Sequence, residues 1–554
     1  MFTKSQSALD QYKNRRGAGI PAERTFFGQV RDFQHWQWVR LTTLTMILVA
    51  TYFWAQPGPL QPVDLTYELD LSEAEQGTLI ITLIAVGNLP DHLELEFPPG
   101  IFSDLGNGVN AHNPSGRELN SDGSSGKPLA IEETEAGWRL ATQNVSRAGF
   151  IYRVDLDRVS GGEQDVRRHI STPITGGLRA AGFEIFLEPV GMEVNEITIS
   201  IHNPSEIPLL VPWPALVKGK DLATERSRHE ARKTGQASLG MGQGFAPGIG
   251  LDEPVQTESP LDAAAPVPSN LLYHPRNLAD LNNSLIICGE IRILESHARD
   301  TVIQFATDRE WFFADEAALE LIQRIARTEM GFFGSAPTDQ ITVLLAANEI
   351  TAEAGFDVYG VHTGSSVLVM LDPTTTWGML EEQAASVIAH EMFHGWLGEA
   401  IPQSDPNMLW FTEGATTWYA ARMLVSAGIW SPEHARGILG ARLERDYALN
   451  PLLGKISIAD AAGEVMTGAD QVRFGYAGGV NACMALDQML ARATGTLRPL
   501  DEIMRTLYIE RDRGDLTREL LQQTIIDVTG VDCKVWFDTH VYGKTSLPPA
   551  DQLI

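Results

Sequence analysis

From Val63 to about Pro214, apolar and polar positions alternate in short runs, LTYELDL, TLIITLIAV, HLELEF, FIYRVDL, FEIFLE and EITISIHN, separated by Gly, Pro, Asn and Asp. A strand turns successive side chains to opposite faces, so this period of two predicts half-buried strands and, from their number, an all-β sandwich over 63–216. Residues 217–268, including GQASLGMGQGFAPGIG and SPLDAAAPVPS, show no apolar period and read as a flexible loop or linker. Two further strand-like runs, SLIICGEIRI and DTVIQFA, give way near Trp311 to the i, i+3, i+4 spacing of helices. FADEAALELIQRIARTEM predicts a helix, ITVLLAA and SSVLVML predict strands, and MLEEQAASVIAHEMFHGWLG predicts a second helix. TEGATTWYAARMLVSAG, VNACMALDQMLARATG and LTRELLQQTIIDVTG continue the helical pattern to about Tyr542. The predicted class is multidomain α+β: the sandwich, a mixed domain over 269–425 and a helical domain over 426–554. No internal repeat is visible.

The chain has 554 residues, too many for one ordinary hydrophobic core, which stops growing near ~250–300 residues. Its 44% apolar and 20% charged residues are those of a folded protein. A net charge of −29 repels phosphate backbones, so nucleic acid is not expected as a partner. Cys288, Cys483 and Cys533 are scattered and show no CxxC spacing, which excludes a thiolate metal cluster and a dense disulfide framework.

The amino end departs from this average. Lys4, Lys13, Arg15, Arg16, Arg24, Arg31 and Arg40 face only Asp10, Glu23 and Asp32, so residues 1–40 read as a basic, disordered tail. An uncharged run follows, Leu41 to Ala55 (LTTLTMILVATYFWA), with Trp36, Trp38, Tyr52 and Trp54 where membrane-interface aromatics belong. As a helix it reaches only ~22 Å against a hydrocarbon core of ~30 Å, so a span borrows residues 36–39 or thins the bilayer. The leading expectation is a membrane anchor over 41–55, with the basic tail cytoplasmic and everything after Gln56 outside the cytoplasm. A cleaved signal peptide giving a secreted protein, and a buried core helix, are the alternatives.

Chemistry concentrates in one stretch. His390, Glu391, Met392, Phe393 and His394 spell HExxH within a predicted helix. Residues four apart share a helical face, so both imidazoles address one ion while Glu391 stands one step round. A third ligand leaves one position of a tetrahedral metal open. Glu413 supplies it, with eighteen residues between it and His394, after a loop containing Pro402 and Pro406 and within a second helix. Such a site holds one zinc ion per chain, which lowers the pKa of water from ~15.7 towards ~7 and polarises a carbonyl, with Glu391 as general base. Tyr476, in RFGYAGGVNACMALDQML, is the candidate donor to the oxyanion of the tetrahedral intermediate. The expected activity is peptide hydrolysis.

HEMFHGW, the eighteen-residue spacing and WFTEG together resemble the gluzincins, and more narrowly the glycyl aminopeptidase-like family, metallopeptidase family sixty-one, relatives of the aminopeptidase N clan. VDLTYELDL resembles that family's opening strand, GYAGGVNACMALDQMLARATG with LDEIMRTLY its helix after the tyrosine, and DVTGVDCKVWFDTHVYG the end of its helical region. The resemblance covers roughly Val63 to Tyr542. It implies a β-sandwich, a thermolysin-like zinc catalytic domain and a helical domain. It also implies His390, His394 and Glu413 as ligands, Glu391 as base and Tyr476 as oxyanion donor.

Two departures from the family pattern bear on function. Aminopeptidases of this clan grip the substrate amine with a glutamate on a Gly-rich strand, read as GGLEH in this family. The corresponding stretch here, Tyr359 to Ser366 (YGVHTGSS), has no carboxylate. Asp357 or a residue distant in sequence would have to replace it. Gly360 and Gly364 are expected to pair with an extended peptide, and His362 is a candidate substrate contact. The second departure is the stop at Ile554, where many family members continue into a PDZ domain, so recognition of a partner's carboxyl tail is not expected. Aminopeptidase action on peptides or proteins leads. Endopeptidase action, a catalytically silent peptide-binding protein, and a zinc hydrolase of a non-peptide amide or epoxide are the alternatives.

Overall fold

The computed structural model describes residues 62–98, 109–156, 170–213, 270–348, 358–463 and 468–547. The basic tail 1–40, the expected anchor Leu41–Ala55 and the expected linker 217–268 lie outside the described residues. Among the described residues no helix is long and apolar enough to cross a membrane.

The alternating runs form a seven-stranded sheet in the order Asn270–Tyr273, Glu193–His202, Pro62–Asp70, Thr78–Gly87, Arg147–Leu156, Val109–Leu119, Ser125–Leu129. Val63, Leu65, Tyr67 and Leu69 from one strand meet Leu79, Ile81, Leu83 and Ala85 from the next, all buried. A four-stranded sheet, Glu188–Pro189, His92–Glu96, Gly137–Ala141, Ile131–Glu133, closes over them through Leu93, Leu95, Trp138 and Leu140. Trp138 packs on Phe150 at 5.5 Å between ring centres.

One run departs from its expected form. FEIFLE predicts a strand, but Gly182–Ile185 is a helical turn followed by the two-residue strand Glu188–Pro189. The Tyr152 and Tyr67 hydroxyls donate to the carbonyls of Ile185 (2.6 Å) and Leu187 (2.7 Å), so side chains rather than a strand ladder satisfy this buried backbone.

A third sheet, Leu209–Leu210, Leu285–Cys288, Gly177–Ala181, Thr172–Ile174, joins the sandwich to the chain that follows. Leu178, Ala180, Ile286 and Cys288 face the sandwich core, while Ala181, Leu285 and Ile287 face the other way. They meet a five-stranded sheet built from β1 (Arg292–Ala298), β2 (Thr301–Thr307), β3 (Gln340–Ala347), β4 (Tyr359–Thr363) and β5 (Ser366–Leu371), in the order β1-β2-β3-β5-β4. Both faces of its inner strands are covered, which is why β2, β3 and β5 read as near-continuous apolar runs. Leu344, Ala346, Leu368, Met370 and Val361 pack toward the third sheet. Val343, Leu345, Val367 and Val369 pack toward helices on the other side.

Helix α1 (Asp315–Phe333) crosses between the parallel strands β2 and β3. It buries Ala318, Leu321, Ile322, Ile325, Ala326 and Met330 at the spacing of one helical face. Then come α2 (Ala385–Phe393), α3 (Leu409–Ser426), α4 (Pro432–Arg442), α5 (Ala469–Thr494), α6 (Pro499–Ile509), α7 (Arg518–Thr529) and α8 (Lys534–His540). Their apolar residues form one core running from Ala298 to Leu547, straight through the expected boundary at 425/426.

Candidate active site

Helix α2 carries His390 and Glu391, and its next residue, His394, still holds helical dihedrals as the carboxyl cap. Helix α3 carries Glu413. One ligand atom each from His390, His394 and Glu413 lies within 4.8 Å of the others. The two Nε2 atoms stand 3.0 Å apart, and Glu413 Oε2 lies 3.2 Å from His390 Nε2 and 3.6 Å from that of His394. Three ligands about 2.0–2.2 Å from one tetrahedral ion stand about 3.3 Å from each other.

Proton positions argue the same way. The Leu397 carbonyl, 3.0 Å from His394 Nδ1, can only accept, so Nδ1 carries the hydrogen and Nε2 of the neutral ring is a bare lone pair. Thr417 Oγ1 lies 3.3 Å from His390 Nδ1 and can accept from that ring when its hydrogen sits on Nδ1, which leaves Nε2 free for a cation. Two lone pairs and a carboxylate then converge with no hydrogen between them, an arrangement that a cation resolves. A proton is the alternative to that cation: burial opposes a charge on His394, yet Glu413 beside it draws its pKa up to about 9. The residues present fit a zinc ion.

Glu391 lies against the edge strand β4. A Cβ on Gly360 would collide with the Glu391 side chain and with Val387, so only glycine lets α2 approach this closely. Burial raises the Glu391 pKa, and the charges of His390 and His394 oppose that rise. Opposite stands Tyr476 on α5. The backbones of Gly414 on α3 and Gly479 on α5 touch where any side chain would clash, and that crossing brings Tyr476, one turn before Gly479, to Glu413. Burial, then the charges of Glu413 and Glu391, hold the Tyr476 pKa well above the usual range, so the phenol keeps its proton. A buried ion pair braces α3 from behind. Both Arg422 nitrogens reach Asp501, at 2.6 and 2.8 Å, and the Tyr419 hydroxyl adds a third bond at 2.8 Å.

The strand-borne residues divide. Val361 faces the sheet interior, so alternation turns Gly360 and His362 toward α2. The His362 ring centre lies 6.3 Å from that of His394, and its two nitrogens are closed to solvent. Burial, then the neighbouring histidine charges, push its pKa down to about 3. Gly364 does not join the centre. It sits in the two-residue turn between β4 and β5 at φ 58°, against the Asn283 backbone. Asp357 lies outside the described residues. Thr417 went unread in the sequence, although it stands four residues after Glu413 on the same helical face; the Leu397 carbonyl leaves no sequence signal at all.

Residues 321–442, spanning α1 to the end of α4 and so including both histidines and Glu413, match the peptidase family M1 domain. The chain is a zinc metallopeptidase. The peptidase is similar in fold to an aminopeptidase N family protein from Idiomarina loihiensis, with a TM-score of 0.64 at 15% identity over 87% of this chain and 77% of that one. It is also similar to an M1 zinc metallopeptidase from Deinococcus radiodurans, with a TM-score of 0.51 at 12% identity over 89% and 96% of the two chains. No curated protein sequence matches it. The resemblance to glycyl aminopeptidase-like relatives of aminopeptidase N lies within this clan of zinc peptidases.

Proposed function

We propose that the peptidase removes residues from the amino end of peptides, with His390, His394 and Glu413 holding one zinc ion, Glu391 as general base and Tyr476 as oxyanion donor. The observation that carries this reading is the triangle of donor atoms at 3.0, 3.2 and 3.6 Å, flanked by one carboxylate and one phenol. When bound, zinc supplies a water of lowered pKa and polarises the scissile carbonyl. Glu391, one position round α2 from His390, takes the proton of the attacking water and returns it to the departing amine. Tyr476 donates to the carbonyl oxygen as that oxygen gains charge. The free edge of β4 offers backbone at Gly360 and His362 to an extended peptide.

Endopeptidase action is the second reading, and a specific observation favours it: no residue of β4 is a carboxylate able to answer a free ammonium group. Hydrolysis of matched free and amino-blocked peptides by zinc-replete protein separates the two. Preference for free amines supports the first reading. Cleavage of blocked peptides alone sinks it, and one zinc per chain with no cleavage of either class sinks both. Leu41–Ala55 completes the proposal as an anchor holding the peptidase outside the cytoplasm, with a secreted form as the alternative. Full-length protein that washes off membranes in carbonate would exclude the anchor.

A further inference from the structure

The last residue of α4, Arg442, stands out by its company. Helix α4 packs on α3, which carries Glu413, and the helical turn after it, Leu443–Ala448, packs on α5, which carries Tyr476. Arg442 therefore sits between the two helices that build the centre. The groups that act electrostatically on its guanidinium are Asp446, Arg445, Tyr476 and Glu413. Asp446 is the only acid among them outside the centre, and it is taken: Arg445 binds both of its oxygens, each at 2.6 Å. Arg442 itself makes no hydrogen bond and no ion pair among the described residues. It is half-buried, and burial disfavours its charge. A guanidinium partly withdrawn from water with no acceptor among the described residues is left to solvent or a ligand, and five donors in a planar fork match a carboxylate in two parallel bonds.

We infer that Arg442 recognises the free α-carboxylate of a short peptide substrate on the Tyr476 side of the centre. The inference rests on the peptidase reading and deepens it. A peptide lying along β4 has two charged ends, and β4 carries no acid to hold the ammonium end. With a cation across the centre that no described residue engages, the carboxyl end fixes the direction of the chain. The substrate class is then di- and tripeptides rather than long chains, because only a short peptide brings its carboxylate within reach while its bond lies at Glu391.

The test uses zinc-replete full-length protein and three probes: tri-alanine, tri-alanine amide, and Ala-Ala-Asp amide, which carries a side-chain carboxylate but no terminal one. The unmodified protein is expected to favour tri-alanine over its amide in kcat/KM by roughly tenfold or more. Arg442→Gln is expected to bring that ratio close to one, with Arg442→Lys intermediate. Any misfolded fraction cancels in the ratio, because both probes are read on the same preparation. An unchanged ratio in Arg442→Gln, or an equal fall on both probes, overturns the inference. Ala-Ala-Asp amide cleaved as well as tri-alanine overturns the assignment to the terminal carboxylate. A second arm measures binding of the same probes to Glu391→Gln protein with and without Arg442→Gln. If the unmodified protein cleaves nothing, the peptidase reading fails, yet loss of the acid-over-amide binding preference with Arg442 still decides for carboxylate recognition.

Discussion

The α2–α3 pair and helix α1 each bury a carboxylate in the same core, with opposite results. Burial acts to raise the pKa of Glu413, but His394 and His390 outweigh it and hold the group ionised, well below the usual carboxylate range. Glu329 on α1 is fully buried, neither of its oxygens has a partner, and burial alone drives its pKa well above the ordinary value. Burial is common to both, so burial does not mark the functional acid. What marks Glu413 is company: two imidazole lone pairs and a phenol aimed at one point. Asp501 stands between these extremes, partly buried and answered by Arg422 and Tyr419.

The sharpest way to break this comparison is to remove the charge that the company serves. Glu413→Gln is expected to weaken zinc binding by more than about 100-fold and to abolish hydrolysis, checked by metal content and turnover. Asp501→Asn should destabilise the fold by about 3–5 kcal/mol at pH 7, since it strands a buried guanidinium. Despite burial, Arg422 and Tyr419 keep the folded Asp501 pKa below its unfolded value, so its contribution is present above about pH 4 and fades as pH falls through the folded value. Denaturant midpoints of the two proteins should therefore converge in acid.

Gly360→Ala probes the other wall of the centre. Its methyl group displaces Glu391 and is expected to lower kcat by about 100-fold while zinc content holds. A smaller effect is expected from Thr417→Val, about tenfold in zinc affinity, through loss of the His390 Nδ1 partner.

Glu329→Gln tests the comparison from the side of the unpaired acid. The folded pKa of Glu329 lies above its unfolded value, so the native protein favours the protonated form and its stability falls as pH rises from the unfolded pKa toward the folded one. A neutral amide removes that dependence. Gln is expected to stabilise the protein by about 1 kcal/mol at pH 7 and to lose the advantage near pH 4, by thermal melts across that range.

Much of this was legible in the sequence, for a reason visible in each case. The two histidines declare themselves because a spacing of four is one helical face, and Glu413 because a short loop must bring α3 back beside α2. Three strands of the five-stranded sheet, β2, β3 and β5, were legible as apolar runs. FEIFLE alternates like a strand, yet the Tyr67 and Tyr152 hydroxyls, 120 and 33 residues from the carbonyls they bind, turn the segment into a helical turn. Period alone cannot register such a partner. Nor can it foresee that Leu285–Cys288, beyond residues 217–268, pairs with Gly177–Ala181 and completes a sheet begun about a hundred residues earlier.

By itself, then, the sequence determined what depends on neighbours along one helix: the shared face of His390 and His394, the place of Glu391 beside them, and the helical or extended nature of most segments. Tertiary structure alone decided what depends on helices and strands crossing. The Gly414–Gly479 contact delivers Tyr476 to Glu413, the missing side chain at Gly360 admits Glu391, and the α4–α5 junction sets Arg442 beside the centre. Local periodicity fixes which face a residue takes, whereas close packing between distant elements fixes what that face meets.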